Sequence, residues 1–516
     1  MEFWKYIEIL NNRKGVPFLQ KKDTKAKLEA LNKILEIGQS NAICNLIPFL
    51  KDTEKEIQQA VCNAIIELFK KIETKKGYYE NLKHCDILRS DLNWYILGFS
   101  AEQQIYLLAV ASLNRSGYIR EEAVKLLAET SDKRAIPFIV FRLTDWVRPV
   151  RENSLRAIEK FKTPAFTNAL IENLALFEWL QKVQRTDLSS VYNDIMDYII
   201  IENRPYIIES FKSFSDKSRF LIANRLCNSE NILSEDLRLF MRDKHFLVRN
   251  LSLKHFNKLT QDDVNTLLKD KSSRIRLQTL NKLKDDHSFL TIVYPFLGDT
   301  SASIREFSRY FLKVEIIDFA TIYAENLRKN ISIIGSIIGL SETGGVQFKD
   351  ALEPFLNDSK SRIRKTAFIT LTKLDPDKAY YFALKNLGTE YISLRNSIID
   401  FLSRNATTEV LQTARKIYSN GRYDSKKSML KFFSLVGRWS AIADIIIGTI
   451  DENENIRQLS LTYLEQWRNK ASTYYTEPKA GELERANQIF RFAFEIHEER
   501  KFYKHNPLIG IDFYLR

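Results

Sequence analysis

A zinc peptidase would need two histidines four residues apart, with a glutamate beside the first. His497-Glu498 is followed by Glu499 and Arg500, so the second ligand is missing. His84-Cys85 has no partner at ligand spacing. His245 and His255 are ten residues apart and are predicted near opposite ends of one helix, too far apart to share a metal. The four cysteines, Cys44, Cys62, Cys85 and Cys227, form no CxxC pair, which predicts reduced thiols and neither a disulfide framework nor a zinc site. The chain has no GxxxxGK[ST] loop and no GxGxxG fingerprint, and Gly344-Gly345 reads as a turn between helices. No catalytic set, metal or cofactor is expected, and a small-molecule ligand is not expected either.

One polar pair does recur, and an acid beside a base is the raw material of proton transfer. Arg follows Asp by six residues at Asp145/Arg151, Asp243/Arg249, Asp270/Arg276, Asp299/Arg305, Asp358/Arg364 and Asp451/Arg457. Asp52/Gln58 keeps the acid alone. The Arg sits in a phrase of aliphatic, Arg, two variable residues and a small one. Examples are IREEA at 119–123, VRENS at 150–154, IREFS at 304–308 and IRQLS at 456–460; LRNSI at 394–398 is a looser copy. Pro-Phe-Leu-x-Asp precedes it at 48–52, 295–299 and 354–358. A pair repeated this often is a structural device, not a single active site.

Spacing makes the repeat firm. Gln58, Arg89, Arg120 and Arg151 are each 31 residues apart, as are Arg364, Arg395, Lys426 and Arg457. Arg249, Arg276 and Arg305 are 27 and 29 apart. The longer gaps leave room for degenerate units, giving about fourteen slots in all.

Each unit must supply elements that hold the pair. With 16 Gly and 11 Pro in 516 residues, of which 44% are hydrophobic, the composition favours helices over turn-rich β structure. Ile43, Leu46, Ile47 and Leu50 form one apolar stripe, Asp52-Thr53 interrupts it, and Ile57, Val61, Ala64, Ile65 and Leu68 form a second at helical spacing. The same second stripe returns at Ile363, Ala367, Leu371 and Leu374. One such pair has little core of its own, so neighbours must stack. Asp at the turn is placed to accept from free N–H groups of the second helix, and Arg to bond an acid of its own or a neighbouring unit. Pro bends or ends the first helix.

Paired helices with Pro in the first, Asp at the turn and Arg early in the second resemble HEAT repeats, from about residue 42 to 467. The resemblance implies an all-α, right-handed α-solenoid of about fourteen helical hairpins, with the Asp and Arg forming a ladder between repeats. The pattern lapses near 155–240 and 320–350. Some HEAT-like proteins are enzymes. Deoxyhypusine hydroxylases carry several His-Glu pairs for two irons, and this chain has one. HEAT-like DNA glycosylases use an Asp with aromatic side chains on a basic face. Trp94, Trp146 and Trp179 with Asp145 or Asp187 would be the counterparts, but Asp145 already belongs to the ladder. Phycobilin lyases offer no residue-level match.

The net charge of +13, from 78 Lys+Arg against 65 Asp+Glu, favours polyanions only mildly. Residues 401–450 concentrate it, with eight bases and three acids. Arg415, Lys416, Arg422, Lys426, Lys427, Lys431 and Arg438 are the candidate patch for a polyanion or protein partner, interleaved with aromatics. Residues 1–41 are expected to be an N-terminal helical cap, 42–470 the repeat array, and 471–516 a capping helix with the tail FYKHNPLIGIDFYLR. A peptide that detaches to dock on a partner is the other reading of that tail. The N-terminus lacks the apolar run of a secretory signal, and the longest apolar stretch, at 331–340, is short of the ~20 residues of a membrane span. The expected protein is a cytoplasmic, non-enzymatic scaffold for another protein, with a nucleic-acid-binding solenoid related to the glycosylases as the alternative.

Overall fold

The computed structural model describes residues 3–11, 20–72, 80–229, 231–316, 318–471, 473–474 and 477–515. Parts of the N-terminal segment and Arg516 at the end of the tail lie outside them. Every regular element among the described residues is helical. The chain divides into two compact units, residues 1–267 and 268–516. Each has its own hydrophobic core.

Both units are built from helix pairs. Ile43–Leu46 runs into the 3₁₀ turn Ile47–Lys51, where Pro48 cannot donate to the helix. The chain then turns at Asp52 into the long second helix Lys55–Lys70. Ile43, Leu46, Leu50, Ile57, Val61, Ile65 and Leu68, the two stripes read from the sequence, are fully buried between the pair and its neighbours. Phe289–Val293 with Tyr294–Gly298 repeats the proline-broken first helix in the second unit.

The recurrent Asp and Arg lie between successive helix pairs. Each Asp accepts the N–H two residues on, as in Val147 to Asp145 at 2.9 Å, Ser301 to Asp299 at 2.8 Å and Asn453 to Asp451 at 3.0 Å. Each Arg donates Nη1 to the carbonyl of its own unit's Asp: Arg151 to Asp145 at 2.7 Å, Arg249 to Asp243 at 2.9 Å, Arg276 to Asp270 at 2.7 Å, Arg305 to Asp299 at 2.7 Å, Arg364 to Asp358 at 2.5 Å and Arg457 to Asp451 at 2.9 Å. That bond fixes the guanidinium plane and turns its Nε edge toward the next pair. Arg276 there meets the next carboxylate, that of Asp299, at 2.8 and 2.6 Å. Arg120 makes the same fork to Asp145 at 2.7 and 2.8 Å, with both side chains almost fully buried.

Two rungs escaped the sequence pattern. Arg219 forks onto Asp243 at 2.6 and 3.1 Å. It lies 30 residues before Arg249, but no aliphatic residue precedes it and no Asp sits six before it. Lys27 bonds Asp52 at 2.9 Å and lies 31 before Gln58, so the N-terminal segment already takes part in the repeat. The lapse at 320–350 also has a physical form. Thirty residues after Arg305, the slot holds Gly335. A Cβ there would stand 1.9 Å from the Gly298 carbonyl, so the backbones touch and no Arg fits. Arg305 forks instead onto Glu342, which Arg309 also bonds at 2.9 Å. Burial opposes it, but these bonds hold the Glu342 carboxyl below its ordinary range.

Two expectations are corrected. Cys44 and Cys85 are joined in a disulfide, so four reduced thiols is wrong for this pair. They are 41 residues apart on neighbouring helix pairs, and stacking joins positions that no local motif links. Cys62 and Cys227 are free and buried, and burial pushes both thiols up to about 12. The histidines His245 and His255 do not share one helix. The helix Phe246–Leu251 passes into 3₁₀ geometry, and His255 sits at a non-helical kink with Nε2 2.7 Å from the Cys227 carbonyl.

At the C-terminus, the helix Ala480–Arg500 packs onto the second core. Leu508, Ile511 and Leu515 of the tail are fully buried. Phe502 lies over the Arg457 guanidinium at 4.2 Å, and Tyr514 contacts Trp467. Buried His497 shares a 3.0 Å bond with the Thr449 hydroxyl. That hydroxyl donates to the Ile446 carbonyl, so His497 Nε2 is the donor and its Nδ1 is bare. Burial, and then the nearby Arg457 charge, lower the His497 pKa and keep the ring neutral.

Candidate interaction surface

The buried Arg slot sets which residues of each second helix face outward. In the second unit, four such helices follow one another: α1 (Ser361–Leu374), α2 (Ile392–Leu402), α3 (Tyr423–Val436) and α4 (Glu454–Ala471). Positions one, five and nine after the slot share one face at helical period. On α1 these are Lys365, Ile369 and Lys373, all exposed. On α2 and the 3₁₀ turn after it they are Asn396, Asp400 and Arg404. On α3 they are Lys427, Lys431 and Leu435, and on α4 they are the uncharged Gln458, Thr462 and Gln466.

Across α1 to α3 this row sets five bases against Asp400. Lys431 approaches Asp400 at 3.8 Å and Asn396 at 3.5 Å. Between α1 and α2 lies a cleft of 510 Å³. Phe368, Ile369 and Phe401 supply its apolar lining, and Lys365, Lys373 and Arg404 stand on its rim. Phe368 and Phe401 meet edge to face at 5.8 Å, which fixes the lining. A second cleft of 210 Å³ between α3 and α4 is lined by Leu435, Tyr463, Trp467 and Tyr474, with Arg438 and Lys470 beside them.

The seven bases read from the 401–450 stretch do not gather on one surface. Arg415 lies on the first helix Thr408–Asn420 and forks onto buried Asp444 at 2.9 Å, a carboxylate it shares with Arg485. Lys416 is exposed on that first helix. Lys426 occupies the Arg slot and bonds Asp451 at 2.7 Å. Burial opposes it, but the bonds from Lys426, the Asn453 N–H and the Tyr418 hydroxyl hold Asp451 below the usual carboxylate range. Arg422 is exposed at the start of α3. Arg438 has a left-handed φ of 48°, and its carbonyl accepts the Trp467 indole N–H at 2.7 Å. Lys427 and Lys431 alone join the second-helix row. Lys365 and Lys373, which with Arg404 complete it, lie outside the stretch read as basic, and Arg404 lies inside that stretch but not among the seven. Counting one, five and nine from each Arg would have found them.

The glycosylase-like constellation is not assembled either. Asp145 accepts from Arg120, Arg142 and the Val147 N–H. Trp146 lies over the Arg120 guanidinium, Trp179 stacks on Phe141, and Trp94 packs on Phe99. Asp187 accepts the Ser189 N–H at 2.9 Å, which lowers its pKa in an exposed turn. Among the described residues, no cluster of His, Cys, Asp and Glu could hold a metal ion, and no helix is long and apolar enough to cross a membrane.

No family model matches the chain, and no curated protein matches it. Among solved structures it is similar to a chain in a homology model of the full-length AP-3 complex in an intermediate open conformation. That match has 12% identity over 94% of this chain and 97% of the other, with a TM-score of 0.23. It is also similar to an engineered protein, at 13% identity over 91% of this chain and 99% of the other, with a TM-score of 0.16. At these scores neither likeness carries a functional argument.

Proposed function

We propose that the chain is a HEAT-like, non-enzymatic scaffold that binds an extended protein segment along the second helices of its C-terminal half. One observation carries this reading: Lys365, Lys373 and Arg404 of the register-matched row line a cleft between α1 and α2 together with Phe368, Ile369 and Phe401. An apolar centre with a charged rim is the pattern of a protein interface. A surface that reads single-stranded nucleic acid presents aromatic rings on which bases stack. The exposed apolar positions of this row are instead Ile369 and Leu435.

The triple variant Lys365→Glu, Lys373→Glu, Arg404→Glu reverses the rim without touching the core or the ladder. Tagged wild-type protein, captured from native lysate after nuclease treatment, is expected to retain a stoichiometric protein. The variant is expected to lose it at least tenfold with its melting temperature unchanged. Equal recovery by the folded variant would reject this surface. Capture that is lost on nuclease treatment and falls steeply with salt would replace the protein partner by nucleic acid.

A further inference from the structure

One rung of the ladder has its anchored donor but no acid. Arg395, 6% exposed, keeps the usual anchor, with Nη1 on the Thr389 carbonyl at 3.3 Å. In filled rungs the same anchor turns the Nε edge toward the next unit's Asp slot, 23 to 25 residues on and six before that unit's own Arg slot. Here that slot holds Asn420, which is exposed, and among the described residues its side chain makes no hydrogen bond. Arg395 Nε is buried and has no hydrogen-bond partner.

Other incomplete rungs are closed by different groups. Arg364 Nε also lacks an acceptor, but the Tyr391 ring covers its guanidinium at 3.7 Å. Arg457 is covered by Phe502, and Arg305 takes Glu342. Among the described residues neither a ring nor an acid closes the Arg395 rung. A buried guanidinium edge with no acceptor is costly, and a carboxylate is the group that satisfies it in the filled rungs.

We infer that this rung is a carboxylate site, filled by an Asp or Glu side chain of the extended partner. Filled rungs of this chain show what the site accepts. A carboxylate takes the Arg fork with both oxygens and caps the N–H two residues beyond the slot, here that of Arg422. The Arg422 side chain, two residues beyond the slot, is exposed. The inference rests on the protein-scaffold reading and narrows its partner to an acidic segment.

Asn420→Asp supplies the missing acid from the chain itself, and Asn420→Ala leaves the site open. The probe is fluorescein-labelled hexaglutamate, its binding followed by anisotropy on the full chain at fixed ionic strength. Wild type and Asn420→Ala are expected to bind it alike. Asn420→Asp is expected to bind at least tenfold more weakly and to melt several degrees higher. Equal binding by Asn420→Asp, or no binding by wild type, overturns the inference. So does a melting temperature of Asn420→Asp below wild type, since a carboxylate would then have no seat there. The two readings fail separately. If the rim reversal leaves the lysate partner bound while Asn420→Asp still loses hexaglutamate, the rim reading falls and the rung stands.

Discussion

Asp145→Asn lowers the free energy of unfolding by about 3–5 kcal/mol, the usual cost of removing one partner of a buried ion pair. Asp145 neutralises two buried arginines, Arg120 at 2.7 and 2.8 Å and Arg142 at 3.1 Å. The amide keeps the shape but offers one acceptor where the carboxylate offers two, and it leaves an uncompensated guanidinium in a site that is 1% exposed for Arg120. Stability in a stacked array is mainly nearest-neighbour, so the loss should concentrate in the helix pairs around residues 117–160 and first appear as early melting of the N-terminal unit. Urea unfolding with hydrogen exchange reads both the size and the place. A loss under about 1 kcal/mol, the range of a surface pair, would mean that the rung is solvated and is not part of the packing.

Deleting residues 501–516 should have the larger effect on solubility. The deletion uncovers the surfaces on which Leu508, Ile511 and Leu515 lie fully buried. At about 1.5–3 kcal/mol for each large aliphatic side chain, roughly 5–9 kcal/mol of burial is forfeited. It also strips Phe502 from Arg457 and breaks the 2.7 Å bond from Asn487 to the Leu515 carbonyl. The expected result is an aggregating protein, or one whose C-terminal unit melts well before the rest. A soluble truncated chain with an unchanged melting temperature would instead make the tail a detachable peptide.

The repeat was legible because it is one-dimensional. Asp and Arg six residues apart, with an aliphatic residue before the Arg, carry enough information to place most rungs. Arg219 and Lys27 were not legible, because each satisfies the geometry with a different local sequence. Gly335 was hidden for the opposite reason. It stands in the Arg slot as an absence, and its meaning lies in the Gly298 carbonyl pressed against it. The Cys44–Cys85 disulfide depends on which helix pairs stack, which no local spacing specifies.

The candidate surface was half legible. A window of sequence from 401 to 450 crosses first helices, turns and second helices, so its bases point in several directions. Arg415 is held by Asp444 and Lys426 by Asp451, while Lys427 and Lys431 face outward. Charge counted along the chain mixes these environments. Charge counted at fixed offsets from the repeat's own Arg separates them, and it brings in Lys365, Lys373 and Arg404.

The central claim is that a protein partner lies along the second helices of the C-terminal half. The most direct measurement places a photo-activated cross-linking residue at Thr372, in the cleft between α1 and α2, and separately at Lys416, exposed on a first helix. Irradiation in native lysate, followed by nuclease digestion, should give a discrete protein adduct from position 372 and none from 416. A protein adduct from 416 with none from 372 would contradict the claim.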